Sequence, residues 1–243
     1  MAGVARYDDI ADFYAAGWTD AIEDPASASL LDLLGPVAGR RVLEIACGHG
    51  RIARELARRG ADVVGADISA ALLGKAEAAE REIPLGIRYV HADVSLPDSR
   101  DGSRFDAVVC SFGLSDIDDL DGAVAGAAGA LRAGGVFVCS ILHPCFPGGR
   151  EVSGSWPGDG RYHAEGWWRA DGELSTLRRQ VGANHRTLST YVNTLRRHGL
   201  WVDGLAEPEP AREWADRRPD AARFPVFLVM RCVKIGDPPP AEG

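Results

Sequence analysis

The chain is 243 residues long, 46% hydrophobic and 26% charged, with a formal net charge of −8. That length can bury a sizeable core as one domain, and the acidic balance argues against a nucleic-acid surface, which would show a basic stripe. Five cysteines without a CxxC pair suit a reducing compartment better than a disulfide framework. The start, MAGVARYDDIADFY, lacks the basic and apolar regions of a secretory signal, and no apolar run reaches the length of a membrane span. The expectation is a cytoplasmic protein, monomer or homodimer, with a small-molecule partner and neither membrane nor nucleic acid.

Strand and helix signals alternate over the first 140 residues. Predicted strands are RVLEIA (41–46), DVVGA (62–66), IRYVHA (87–92), FDAVVCS (105–111) and GVFVCSIL (135–142). Predicted helices lie between them at 51–59, 70–81 with Ser69 as N-cap, and about 119–132. Near-continuous apolar strands alternating with helices imply a parallel sheet covered on both faces. Gly126 and Gly129 should weaken the third helix by about 1 kcal/mol each, so close packing on the sheet must compensate.

After Leu142 the pattern changes. Residues 143–175 are rich in Gly, Pro and Trp and have no clear period, which predicts a long ordered loop or small lid; a segment like this is usually functional. Regular order returns in HRTLSTYVNTLRRHGL, where Leu188, Tyr191, Val192 and Leu195 make an apolar helical face stopped by Gly199. WVDGLAEP and FPVFLVMRCVKI are the sixth and seventh strands, joined by a charged connection at 207–224. The domain is expected over 1–236, followed by a disordered tail at 237–243.

The chemistry is concentrated in VLEIACGHG, residues 42–50, and in ADIS, which starts at Ala66. A strand, a glycine turn and a helix point backbone N–H groups and a positive helix end at an anion. Two frames fit. Gly48-His-Gly50-Arg-Ile-Ala53, with Asp67 further on, matches the dinucleotide fingerprint. In the other frame Glu44 belongs to the pattern. A carboxylate at a strand end is awkward to bury alone, and it makes sense if it accepts hydrogen bonds from a ligand ammonium or nearby backbone. A nicotinamide dinucleotide has no ammonium; S-adenosylmethionine (SAM) does.

In this frame the chain resembles class I SAM-dependent methyltransferases of the bacterial small-molecule type. EIACGHG resembles the first motif, with Ala46 where Gly is more usual, followed by Gly48 and Gly50. GADIS resembles the second, HADV the third, FDAVVCSFGLSDIDD the fourth, and LRAGGVFVCSI the turn and strand after the family's fifth helix. YDDIADFYAAGW resembles an N-terminal helix that closes over the cofactor. The resemblance implies a three-layer Rossmann-like α/β sandwich whose seven-stranded sheet is mostly parallel, with the last strand antiparallel. It also implies SAM as cofactor and S-adenosylhomocysteine (SAH) as product. Asp67 would take the ribose hydroxyls, Ile68 would pack on the adenine, Asp93 and Val94 would lie beside it, and Tyr7, Tyr14, Glu44 and Ser111 would complete the cofactor site.

The fifth strand delivers His143 to the edge where ligands bind in such sheets. Its neutral-range pKa makes it the candidate base. His185 and Arg186, ahead of the 187–198 helix, and Trp156, Trp167 and Trp168 in the inserted segment are candidates for the substrate pocket. His143, Cys145, His163 and His185 have no metal-ligand spacing, so no metal is expected. The expected activity is methyl transfer to O or N of a small aromatic or heterocyclic metabolite. The rivals are an NAD(P)-dependent oxidoreductase, weakened by the lack of a Tyr-x-x-x-Lys pair in a chain with two lysines, a non-catalytic SAM-binding module, and a protein methyltransferase.

Overall fold

A computed structural model describes residues 3–95, 104–171 and 176–235. The chain opens with α1 (Ala11–Ala16) and α2 (Pro25–Leu34), then alternates β1 (Arg41–Ile45), α3 (Arg51–Arg58), β2 (Asp62–Asp67), α4 (Ala70–Glu82), β3 (Arg88–His91), β4 (Phe105–Ser111), α5 (Leu120–Ala130) and β5 (Leu131–Leu142). Two small ribbons follow. β6 (Gly148–Gly149) pairs with β7 (Val152–Ser153), and β8 (Gly166–Trp168) pairs across α6 (Thr176–Val181) with β9 (Ala183–His185). The chain then runs through α7 (Leu188–Arg197), β10 (Leu200–Ala206), α8 (Arg212–Arg217) and β11 (Phe227–Lys234). The end of the expected lid, 172–175, and the expected tail lie outside the described residues.

Seven strands form one sheet in the order β10-β11-β5-β4-β1-β2-β3. β11 is antiparallel to both neighbours, while β5, β4, β1, β2 and β3 run parallel, so only the last strand is reversed, as expected. One face packs on α2 and α3 through Leu30, Leu34, Ile52 and Leu56; the other packs on α5 and α7 through Val124, Ala127, Tyr191 and Leu195. The result is the three-layer sandwich. Among the described residues no helix is long and apolar enough to cross a membrane.

Local chemistry explains several boundaries. Ser69 caps α4 by accepting the Leu72 N–H at 3.2 Å, and Thr187 does the same for α7. Gly126, a weakness in α5 by propensity, is where that helix meets the chain after β3: a Cβ there would sit 2.4 Å from the Val94 carbonyl oxygen. The missing side chain lets α5 seat beside the strand ends. β5 starts four residues before the predicted Gly135 because Leu131 already pairs with Phe105 of β4, and sheet pairing overrides the propensity of the RAGG stretch.

Candidate functional site

A cavity of about 550 Å³ opens at the carboxyl ends of β1, β2, β3 and β4, where the strand order reverses and ligands bind in sheets of this type. Its floor is the turn after β1. Ala46 and Gly48 both take left-handed backbone, with φ of 52° and 56°. For alanine this costs roughly 1–2 kcal/mol. The Ala46 methyl is accommodated because residue 113, at the end of β4, is glycine: a Cβ there would lie 2.5 Å from it.

Asp67, at the end of β2, holds the turn. Its Oδ2 accepts the Gly48 N–H at 2.7 Å and its Oδ1 the Ser69 N–H at 2.8 Å. Burial pushes this carboxyl up from its ordinary pKa, against the pull of the Ser69, Gly48 and Ile68 N–H groups. Asp93, after β3, accepts the Ser95 N–H and hydroxyl on Oδ1 and the Gly3 N–H on Oδ2, at 3.0, 2.6 and 2.6 Å. Partial burial works against it, but these hydrogen bonds hold it below the usual carboxylate range.

The N-terminal segment forms the roof. Arg6 pairs with Asp118 at 2.7 Å, the Ser69 hydroxyl donates to Asp8 at 2.6 Å, and Lys75 pairs with Asp12. The Tyr7 and Tyr14 rings meet edge to face at 5.0 Å. Burial first, and then the charge of Asp116, raise both phenols well above their ordinary pKa, so both are neutral donors. Phe112 is a bulky residue at φ 59°, a strained conformation of the kind found at functional sites. Its N–H donates to the backbone oxygen and the hydroxyl of Ser140, and its ring stands 6.3 Å from Trp18 and 5.7 Å from Phe227.

Nine of the residues expected at a cofactor site line this one cavity: Tyr7, Tyr14, Ala46, Gly48, Asp67, Ile68, Asp93, Val94 and Ser111. Glu44 and Gly50 do not, and both expectations are corrected. Glu44 lies behind the turn, 2% exposed, bonded to the Ala53 N–H at the start of α3, its pKa pushed well up by burial. Gly50 faces the Tyr89 hydroxyl, which a Cβ would meet at 2.3 Å.

None of the residues expected to do catalysis or bind substrate lines the cavity. The correction for His143 is specific: Nδ1 accepts the Cys145 N–H at 3.0 Å, and Nε2 bonds Glu207 at 2.9 Å. Both ring nitrogens are taken, which leaves no free base. Arg186 donates to the carbonyl oxygens of Leu114, Ile117 and Asp118 at 2.7, 2.7 and 2.8 Å. It is a brace for the loop after β4. His185 is 1% exposed and bonds the Tyr162 carbonyl oxygen at 2.7 Å. The Trp156 ring meets that of His185 at 5.2 Å, tilted by 55°, and Trp168 is buried with its indole N–H on the Ser155 oxygen at 3.0 Å. These side chains are the lid's own small core. Trp167 is 46% exposed, between Arg6 and Arg169.

The residues missed are Arg6, Phe112 and Asp116, which line the cavity, and Arg178, which pairs with Asp116. Asp116 lies inside SDIDD, in the loop that follows the predicted strand end at Ser111, so the sequence carries a signal for it.

The family model for a methyltransferase domain matches residues 43–139. A ubiquinone biosynthesis O-methyltransferase from Alkalilimnicola ehrlichii is 39% identical over 112 residues, which are 45% of this chain and 44% of that protein; the chain thus spans less than half the length of this relative. A solved SAM-dependent methyltransferase from Mesorhizobium loti is 30% identical with a TM-score of 0.67, covering 85% of this chain and 96% of that one. The fold is also shared with the 1,6-didemethyltoxoflavin-N1-methyltransferase of Burkholderia thailandensis, solved with its substrate and SAH, at 19% identity and a TM-score of 0.63 over 95% of this chain and 87% of that one.

Proposed function

The chain belongs to the SAM-dependent methyltransferases, and from that premise we propose that it methylates an oxygen or nitrogen of a small, flat aromatic or heterocyclic metabolite. Its cofactor is SAM and the product of that cofactor is SAH. The donor set suits SAM. In this reading Asp67, at the end of β2, takes the ribose hydroxyls, Ile68 and Val94 flank the adenine and Asp93 accepts from its amino group; that all four line one cavity supports it. Ala46 and Gly48, with at most a methyl as side chain, leave backbone open beneath the methionine part, with Ser111 beside it. SAM supplies an electrophilic methyl group on a sulfonium, so the protein's task is alignment of the acceptor, exclusion of water and removal of a proton.

The observation that carries the acceptor class is the wall of rings on the same cavity. Tyr7, Tyr14 and Phe112 line it, and Trp18 and Phe227 extend it. Such faces stack on flat rings. The name of the Alkalilimnicola relative supports oxygen as the acceptor atom.

Calorimetric titration with SAH and NADH tests the cofactor: SAH alone should bind. Incubation with SAM and a panel of hydroxybenzoates, catechols and nitrogen heterocycles, read by mass spectrometry, tests the acceptor. Methylation of aliphatic compounds or proteins alone would sink the aromatic class.

A further inference from the structure

Besides Asp116, four carboxylates line the cavity among the described residues, and each has a place in it. Asp67 ties the glycine turn to α4 and Asp93 ties Ser95 to Gly3, and the acceptor sites these bonds leave are the ones proposed above for the ribose and the adenine. Asp118 holds Arg6 and Asn184, and Asp119 caps α5 through the Gly122 N–H at 2.8 Å. Asp116 has no such assignment. It follows the 3-10 turn Gly113–Ser115 at the end of β4; like Asp118 it takes its partners from two other parts of the chain, and it is the less exposed of the two. Oδ2 accepts the Tyr7 phenol at 2.8 Å from the N-terminal roof, and Oδ1 accepts the Arg178 guanidinium from α6. Each carboxylate oxygen offers two acceptor sites, so one on each remains after these bonds. The side chain is 22% exposed at the cavity wall.

No histidine, lysine, cysteine or glutamate is among the described residues that line the cavity, and the two phenols there are held neutral. We infer that Asp116 is the group facing the transferable methyl, where it orients an acceptor O–H or N–H and takes its proton, with Tyr7 and Arg178 as positioning residues. This rests on the methyltransferase site proposed above and narrows its substrates to acceptors that carry a hydrogen-bond donor at the methylated atom. The acceptor's lone pair forms the new bond to the methyl carbon. The C–S bond breaks with its electron pair left on sulfur, and the acceptor's proton passes to the Asp116 carboxylate. Arg178 balances the carboxylate charge before the transfer, and Tyr7 fixes its rotation by a bond that also anchors the roof.

The test needs no acceptor. Sinefungin carries an ammonium-bearing carbon where SAM has the methylated sulfonium, so a carboxylate facing the methyl position should favour it over SAH. Dissociation constants for both are measured by calorimetry on the full chain, with melting curves to verify folding. Asp116→Asn should weaken sinefungin about tenfold while SAH stays within about threefold. Asp116→Ser should do the same and serves if the asparagine variant is unstable. Tyr7→Phe keeps the carboxylate but removes the bond that fixes its rotation, and should reduce the preference by less than Asp116→Asn does. Equal loss of both ligands, or an unchanged ratio in the Asp116 variants, overturns the inference, and an unchanged ratio in Tyr7→Phe removes Tyr7 from the positioning role. Failure of the wild type to bind SAH would instead remove the proposed site itself.

Discussion

Asp67 and His143 both stand at the carboxyl ends of strands in one sheet, yet only Asp67 reaches the cavity. β2 ends at the cavity wall, where its acid accepts the Gly48 N–H. β5 ends beside antiparallel β11, where Leu142 pairs with Phe227 and the His143 N–H donates to the Val226 oxygen at 2.8 Å. The connection ahead of β11 supplies Glu207, and the lid supplies Ser155, whose hydroxyl donates to the His143 oxygen. A strand end becomes a site only where nothing covers it. The lid half of the chain spends its polar and aromatic residues on holding itself down.

Arg186→Ala tests that view with the largest expected effect. It takes the guanidinium donors from three carbonyl oxygens in a half-buried loop, of which Ile117 keeps the Asn184 amide at 3.4 Å, and each lost partner costs about 1–3 kcal/mol. At the lower figure for each, about 3 kcal/mol in all, the midpoint should fall by roughly 6–12 °C, at about 2–4 °C per kcal/mol. A thermal melt within 2 °C of wild type, with substrate turnover lost, would return Arg186 to the pocket. Asp67→Ala probes the opposite half. Calorimetry should show SAH affinity falling roughly 100-fold, equivalent to about 2.7 kcal/mol, because the variant removes both the ribose acid and the tie to the Gly48 N–H. Retained affinity would mean that the turn is held by its own backbone.

These two variants also mark how far the sequence could be read. At the glycine turn the ligand meets backbone, and the conformations required there leave their mark on residue type, so Gly48, Asp67, the Ser69 cap of α4 and the Gly199 stop of α7 are legible in the sequence. α2 carries the same kind of signal in a stretch less periodic than α7: Asp24, Pro25 and Gly35 frame it, with Asp24 accepting the Ser27 N–H at 2.8 Å. In the lid, tryptophan and histidine have the same composition whether they line a pocket or a miniature core. Only the contacts decide, as where Trp156 meets His185 and Trp168 meets Ser155. Ala46 hid its conformation for the opposite reason: alanine rarely goes left-handed, and the partner that permits it, Gly113, is far along the chain.

His143→Ala should sharpen the contrast with a smaller effect. Turnover should stay within about twofold of wild type, while stability falls by about 1–2 kcal/mol from the lost bonds to Cys145 and Glu207. Burial lowers the His143 pKa, against the opposing bond to Glu207, so the unfolded chain takes up the proton first on acidification. The stabilising contribution is therefore full above about pH 6.5 and is lost as pH falls below it. The alanine variant should lack this acid-side loss in thermal melts, and a tenfold drop in turnover would restore the histidine to catalysis.

Glu44→Gln gives the finest distinction, because Glu44 belongs by sequence to the cofactor motif and by position to the core. Burial raises its pKa well above the ordinary value, and the Ala53 N–H only partly offsets this; one carboxylate oxygen has no partner. As pH rises past about 4.3 the unfolded chain loses this proton before the folded one. The folded state then binds more protons, and stability falls with rising pH. Glutamine cannot titrate, so the melting midpoint of the variant relative to wild type should be a few degrees higher at pH 8 than at pH 5, on the scale of about 2–4 °C per kcal/mol. SAH affinity should stay within about threefold at both values, since the side chain does not line the cavity. A flat stability difference joined to a large loss of SAH would show instead that the charge acts through the turn on the bound cofactor, and would move Glu44 from the scaffold into the site.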